Sequence, residues 1–187
     1  MEQREKWQQN QSSLDPLKLR FLDESSINLG MTRLYGRGKT NERVNDYTPD
    51  VRFERTSILS TIALDGNSAP MIFKGTLNGD LFGMYVKQFL APTLKRGDIV
   101  VMDNLSSHKV EGVLQPIYDA GATVLFLPPY SPDFNPIEMS WSKMKSIVRK
   151  LKPRTYDQLI EALKIALDSF THDDILHWFH HDGYSVN

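Results

Sequence analysis

The chain has no cysteine among its 187 residues, which excludes disulfides, thiolate metal sites and a cysteine nucleophile. Any metal ion must therefore be held by oxygen or imidazole. It also has no apolar run long enough to cross a bilayer, and its polar opening, MEQREKWQQNQ, does not read as a signal peptide. No membrane partner is expected, and the cytoplasm is the expected compartment. A surplus of positive charge is missing too. With 22 Lys and Arg against 23 Asp and Glu, the net charge is −1, so any contact with nucleic acid must come from local patches. What remains is ordinary for a globular protein: 40% hydrophobic and 24% charged residues, in a length that suits one well-packed domain.

The most informative stretch is Leu127-Pro-Pro-Tyr-Ser-Pro-Asp-Phe-Asn-Pro-Ile-Glu138. Four prolines within residues 127–136 fix most φ angles and remove backbone donors, so this is a rigid connector. It runs straight into a helix start, with Asn135 suited to the N-cap and Pro136 to the first helical position. Glu138 is thereby delivered at the head of a helix. Upstream, Asp98-Ile-Val-Val-Met-Asp103 reads as a buried strand ending in a carboxylate. Leu17-Lys-Leu-Arg-Phe-Leu-Asp23 alternates as a half-buried strand and ends the same way.

The remaining chain supplies a consistent frame. Residues 1–16 are polar and read as a leading helix or linker up to Asp15-Pro16. Residues 24–55 hold Gly30, Gly36 and Gly38 and six basic residues (Arg33, Arg37, Lys39, Arg43, Arg52, Arg55), the pattern of a mobile loop or loose hairpin. Ser57–Leu64 and Ala69–Phe73 are strands joined by the turn signal Asp65-Gly66-Asn67. Asn78 opens a helix with Leu81, Met84, Tyr85 and Phe89 on one side, stopped at Pro92. Ser106 or Ser107 can cap a helix running to Ala120 and Gly121, with Pro116 as a kink. Thr123–Leu127 is the fifth strand. After Asn135 the apolar residues Ile137, Trp141, Met144, Val148 and Leu151 recur at helical spacing. Thr155 and Gln158 form a capping box for a helix burying Leu159, Leu163, Ala166, Leu167 and Phe170. A short helix near Asp173–His180 closes the chain. This order predicts an α/β fold with a mixed five-stranded sheet flanked by helices.

Asp23, Asp103 and Glu138 are hard oxygen donors carried by separate rigid elements, which is the composition of a two-metal phosphodiester site using Mg2+ or Mn2+. Each has a plainer reading. Acidic residues after strands form turns, and Glu138 could be the glutamate of a capping box. The three together, on one order of elements, favour the metal reading. Six basic residues between Lys143 and Arg154 read either as a solvated helix face or as a phosphate track. Of these, Lys145 and Arg149 fall on the stripe of Glu138 and Ser142, and are the candidate DNA-binding pair. His108, five residues beyond Asp103, is either an accessory group near the scissile phosphate or a helix cap.

Three segments together resemble the IS630 family of transposases, in the Tc1/mariner group: Phe-Leu-Asp23-Glu-Ser, Val-Met-Asp103-Asn-Leu-Ser-Ser-His108-Lys, and the proline-rich stretch through Glu138. The 34 residues between Asp103 and Glu138 match that group's spacing. The likeness extends from Leu14, through Pro92-Thr-Leu-Lys-Arg-Gly-Asp98, to Trp178-Phe-His-His-Asp-Gly-Tyr184. The resemblance implies an RNase H-like DDE catalytic domain over residues 17–187. Asp23, Asp103 and Glu138 would be its catalytic, metal-holding residues, using two Mg2+ ions with Mn2+ as a substitute. Such a domain nicks transposon ends with water and joins the freed 3′-hydroxyl to target DNA at TA. The family carries helix-turn-helix modules ahead of this domain. Here Met1 begins just before the first catalytic strand, so that portion is expected to be absent from the chain and encoded elsewhere. A homodimer in the active complex and a place in the bacterial cytoplasm, at the nucleoid, follow from the same resemblance. Two other readings use the same residues: a nuclease or resolvase without strand transfer, and a truncated, non-enzymatic fragment that inhibits or partners a full-length transposase.

Overall fold

The computed structural model describes residues 2–33, 35–47, 49, 53–66, 68–104 and 112–185. Five strands form one mixed sheet: β1 Leu19–Ile27, β2 Thr56–Ile62, β3 Met71–Lys74, β4 Ile99–Met102 and β5 Thr123–Phe126. Their spatial order is β3-β2-β1-β4-β5. β1 is antiparallel to β2 and parallel to β4, and β4 is parallel to β5. The fold class read from the sequence is the one observed.

Side chains alternate across the sheet and feed two cores. Phe21, Ile58 and Val101 point to the face covered by α4 (Ile137–Leu151), α5 (Tyr156–Asp168) and α6 (His172–His181). Leu22, Leu59, Val100 and Met102 point to the other face, beneath α2 (Gly79–Tyr85) and α3 (Gln115–Asp119). β4 is covered on both sides, as its unbroken apolar run requires.

Several boundaries differ from the sequence reading, each for a local reason. Leu17 is not in the first strand. Asp15 accepts a hydrogen bond from the Leu17 N–H (3.1 Å) and starts a tight turn over Pro16–Lys18, leaving Leu17 exposed. β1 instead continues past Asp23 to Ile27, because β2 pairs with it as far as Ile27↔Thr56. Residues 24–27 therefore leave the presumed loop, and among the described residues 28–55 no further strand or helix forms. Pro116 lies in the first turn of α3, where no backbone donor is needed, so it makes no kink. The part of the expected helix before Gly112 falls outside the described residues. α2 is capped by Asn78 (Leu81 N–H to Oδ1, 2.8 Å) and then winds into a π turn over Val86–Leu90. The wider turn shifts the helical phase, burying Leu90 and leaving Phe89 outside. Leu151, expected in the buried stripe of α4, is exposed at its last residue.

α1 (Glu2–Gln11) is helical as expected and is not a free tail. Arg4 donates to the Tyr130 carbonyl (3.2 Å), to Ser131 Oγ (2.8 Å) and, in a fork, to both oxygens of Asp133 (2.9 and 2.7 Å). Trp7 stacks on Phe134, and Gln11 bonds the Asp182 carbonyl. The leading helix therefore clamps the proline-rich connector from outside.

Candidate active site

The connector is stiff at every step. Pro128 and Pro129 lead to Tyr130, held at φ 54° with its ring fully exposed. A tight turn over Pro132–Phe134 follows, pinned on one side by Arg4 and on the other by the Tyr184 hydroxyl, which donates to the Phe134 carbonyl (2.8 Å). α4 begins at Ile137, and no side chain caps it. Asn135 contributes its backbone carbonyl, which accepts the Glu138 N–H (3.0 Å), rather than the side-chain cap expected of it. Asn135 Oδ1 is buried with no hydrogen-bond partner among the described residues. Glu138 emerges exposed in the first turn of α4.

Asp23 and Asp103 approach from the sheet. The parallel register ends at Leu22↔Met102, so the next residues on each strand, Asp23 and Asp103, stand level. By alternation both point to the face of Phe21 and Val101, the face that α4 covers. Asp23 lies within β1 rather than at its end, but it is the first residue beyond its pairing with β4.

The electrostatics bring the three carboxylates into one neighbourhood. Burial pushes the Asp23 carboxyl up, the negative charge of Glu138 adds to this, and Asp103 adds a smaller push. The Glu24 N–H (2.8 Å, to Oδ1) and the Trp141 indole N–H (3.1 Å, to Oδ2) favour the ionised form but do not offset this, and the pKa rises to about 7. Among the described residues, no group of three or more Asp, Glu or His side chains is gathered closely enough to hold a metal ion. The three side chains are nevertheless hard oxygen donors, and a divalent cation would relieve the repulsion that Asp23 feels from the other two.

Lys145 and Arg149 lie further along α4, both partly exposed. The basic run around them divides in two. Lys143 is paired with Asp174, Lys152 with Asp46, and Arg154 bonds the Leu29 carbonyl. Among the described residues Lys145, Arg149 and Lys150 have no ion pair. Arg149 and Lys150 line an open cleft of about 700 Å³ whose other wall carries Arg33 and Tyr35, from the segment after β1. Sequence reasoning missed that pairing, because nothing local links residue 33 to residue 149. It also read Trp141 only as a core residue, since periodicity registers the ring and not its N–H. His108 lies outside the described residues, and His180 and His181 face solvent.

Residues 18–160 match the family model described as DDE superfamily endonuclease, and the chain belongs to that family. Among solved structures it is similar to Mos1 mariner transposase. The Mos1 paired-end complex with Mg matches with a TM-score of 0.77 at 16% identity, over 96% of this chain and 56% of that one. The pre-cleavage Mos1 transpososome matches at 0.76 and 15% identity, over 96% and 57%. The isolated catalytic domain of Mos1 matches at 0.64 and 14% identity, over 96% and 87%. The chain thus spans a little over half the length of the Mos1 chains in those DNA complexes, and most of the catalytic domain alone. At these identities the likeness shows the fold, which is RNase H-like. No curated protein matches it in sequence.

Proposed function

We propose that this chain is the catalytic domain of a transposase of the IS630 and Tc1/mariner kind, cutting DNA at transposon ends and joining the cut end to target DNA at TA. The observation that carries the reading is the placement of Asp23 in a DDE endonuclease domain: it stands level with Asp103 on the parallel β1–β4 pair, and burial first, then the charge of Glu138 and less that of Asp103, raise its pKa to about 7. Asp23, Asp103 and Glu138 would hold two Mg2+ ions, or Mn2+ in their place. Bound there, the ions would supply activation of an attacking oxygen and stabilisation of the leaving one. Similar Mos1 structures are paired-end complexes with Mg and with Mn, which supports this choice of metal.

The chain's own residues orient the reaction. The stiff connector fixes Glu138 against the sheet, and the parallel pair β1 and β4 sets Asp23 beside Asp103. Lys145 and Arg149, together with Arg33 and Lys150, hold the DNA backbone along α4 by neutralising phosphates. In this reading a helix-turn-helix portion recognises the transposon ends. Two copies act together, a reading supported by the similar Mos1 paired-end complex, and the work is done at the bacterial nucleoid.

The direct test is metal-dependent nicking of a transposon-end duplex. Asp103→Asn or Glu138→Gln should abolish it with the fold intact, because a neutral amide does not replace a charged ligand. Either variant cutting at the parent rate would remove that residue from the site.

A further inference from the structure

Asp23 is held by two donors of different origin. One is the N–H of its own neighbour Glu24, and the other is the indole of Trp141, 118 residues away on α4. Trp141 lies one helical turn beyond Glu138, so a single hydrogen bond ties the β1 carboxylate to the helix that presents Glu138. The indole N–H is a donor only, and a buried indole needs an acceptor. Here the acceptor is a carboxylate of the candidate site.

Packing alone does not immobilise this ring. Trp141 is buried, but it also lines a cavity of about 230 Å³ together with Ser60, Ile62, Ile137 and Ile175. A phenylalanine would fill most of the same space without the N–H. The terminal torsion of an aspartate is soft, so its plane is set by whatever bonds its oxygens. A carboxylate offers about four lone-pair directions. Glu24 and Trp141 each occupy one, on different oxygens, leaving one free on each. Without the indole, Oδ2 loses its anchor and the carboxylate can rotate toward Glu24.

We propose that Trp141 is a positioning residue: its indole N–H fixes the plane of the Asp23 carboxylate relative to Glu138, presenting the two free lone pairs to a divalent cation. This rests on the reading of Asp23 and Glu138 as metal ligands. Partners that orient a metal-binding carboxylate commonly change metal affinity by about 10–100-fold when removed.

The experiment measures Mn2+ binding to the DNA-free protein by the electron paramagnetic resonance of the unbound ion. Trp141→Phe should weaken binding by about 10–100-fold. Nicking should need correspondingly more metal and recover towards the parent rate when metal is saturating. Trp178→Phe, an equal loss of ring from the same core, should reduce stability to a similar extent and leave Mn2+ affinity unchanged. Trp141→His, which restores an N–H donor, should fall between the parent and Trp141→Phe. Parent-like Mn2+ affinity in a folded Trp141→Phe protein would return Trp141 to the role of core filler. A further arm keeps the two readings apart. If Asp23→Asn also leaves Mn2+ affinity unchanged, the metal site itself is misassigned; if it alone weakens binding, only the positioning role fails. Should Trp141→Phe not fold, the parent answers the question. Its Trp141 indole proton resonance should shift as Mg2+ is added, and a resonance that stays fixed while the Glu138 amide shifts overturns the proposal.

Discussion

The two ends of the β1–β4 pair handle buried charge in opposite ways. At the entry end, Arg20 is almost fully buried, yet it bonds Asp98 and, with both terminal nitrogens, Asp65 (3.2 and 3.0 Å), which Lys95 also reaches. Burial pulls the Arg20 pKa down, and the two carboxylates outweigh it and hold it above its ordinary value. Three residues further along β1, Asp23 is half-buried and feels the charges of Glu138 and Asp103, and its pKa climbs. The same strand thus carries a closed network at one end and, at the other, an Asp23 with no ion pair among the described residues. A closed network contributes to folding. A repelled carboxylate costs stability, and a cation bound there would recover it.

Breaking the closed end should have the largest effect on stability. Arg20→Met strands Asp98, and urea denaturation should register a loss of about 3–5 kcal/mol, the usual result of removing one partner of a buried ion pair. At the other end the sign reverses. Asp23→Asn removes a buried, repelled charge and should stabilise the metal-free protein at pH 8 by about 1–2 kcal/mol while eliminating nicking. A loss of stability from Asp23→Asn under those conditions would undo the comparison.

The pH dependence follows from the same shift. Asp23 has a folded-state pKa of about 7, above its unfolded value, so the folded state holds the extra proton between the two. Its contribution is present in acid and lost as pH rises through 7. The metal-free protein should therefore melt at a lower temperature at pH 8 than at pH 5.5, and saturating Mg2+ should flatten or reverse the trend. The smallest effect concerns the unpaired cations of α4. Lys145→Ala with Arg149→Ala should leave stability near the parent value and reduce the slope of log affinity against log salt by about one to two, measured on duplex DNA in Ca2+. An unchanged slope would return the stripe to a solvated helix face.

What the sequence disclosed follows the range of its signals. Asp103 is bracketed by an apolar run, and Glu138 by prolines and a helical period, so both positions could be read within a dozen residues. The extent of β1 could not. Glu24-Ser25-Ser26 is polar, and only the ladder with β2, about thirty residues on, holds it in the strand. The cleft that faces Arg149 with Arg33 was hidden for the same reason. Asn135 was misplaced by one residue and Pro116 by more than two turns, because a proline marks a helix end without saying which side of it carries the first turn. Trp141 was a different failure: its position was right, and its polar atom went uncounted.

The clamp of α1 also dictates an order of assembly. Arg4 and Gln11 are synthesised before their partners, which lie 126 to 129 and 171 residues later in the chain. α1 cannot complete its docking until Asp182 has been synthesised, so it waits through most of the domain's translation without its partners. Its composition suits that wait: Glu2–Gln11 has one large apolar residue, Trp7, among charges and amides, which leaves little for a nascent chain to aggregate through. The connector before Glu138 is accordingly left unclamped until the end, and closing α1 over it, across the longest separations in the fold, is a late step of folding.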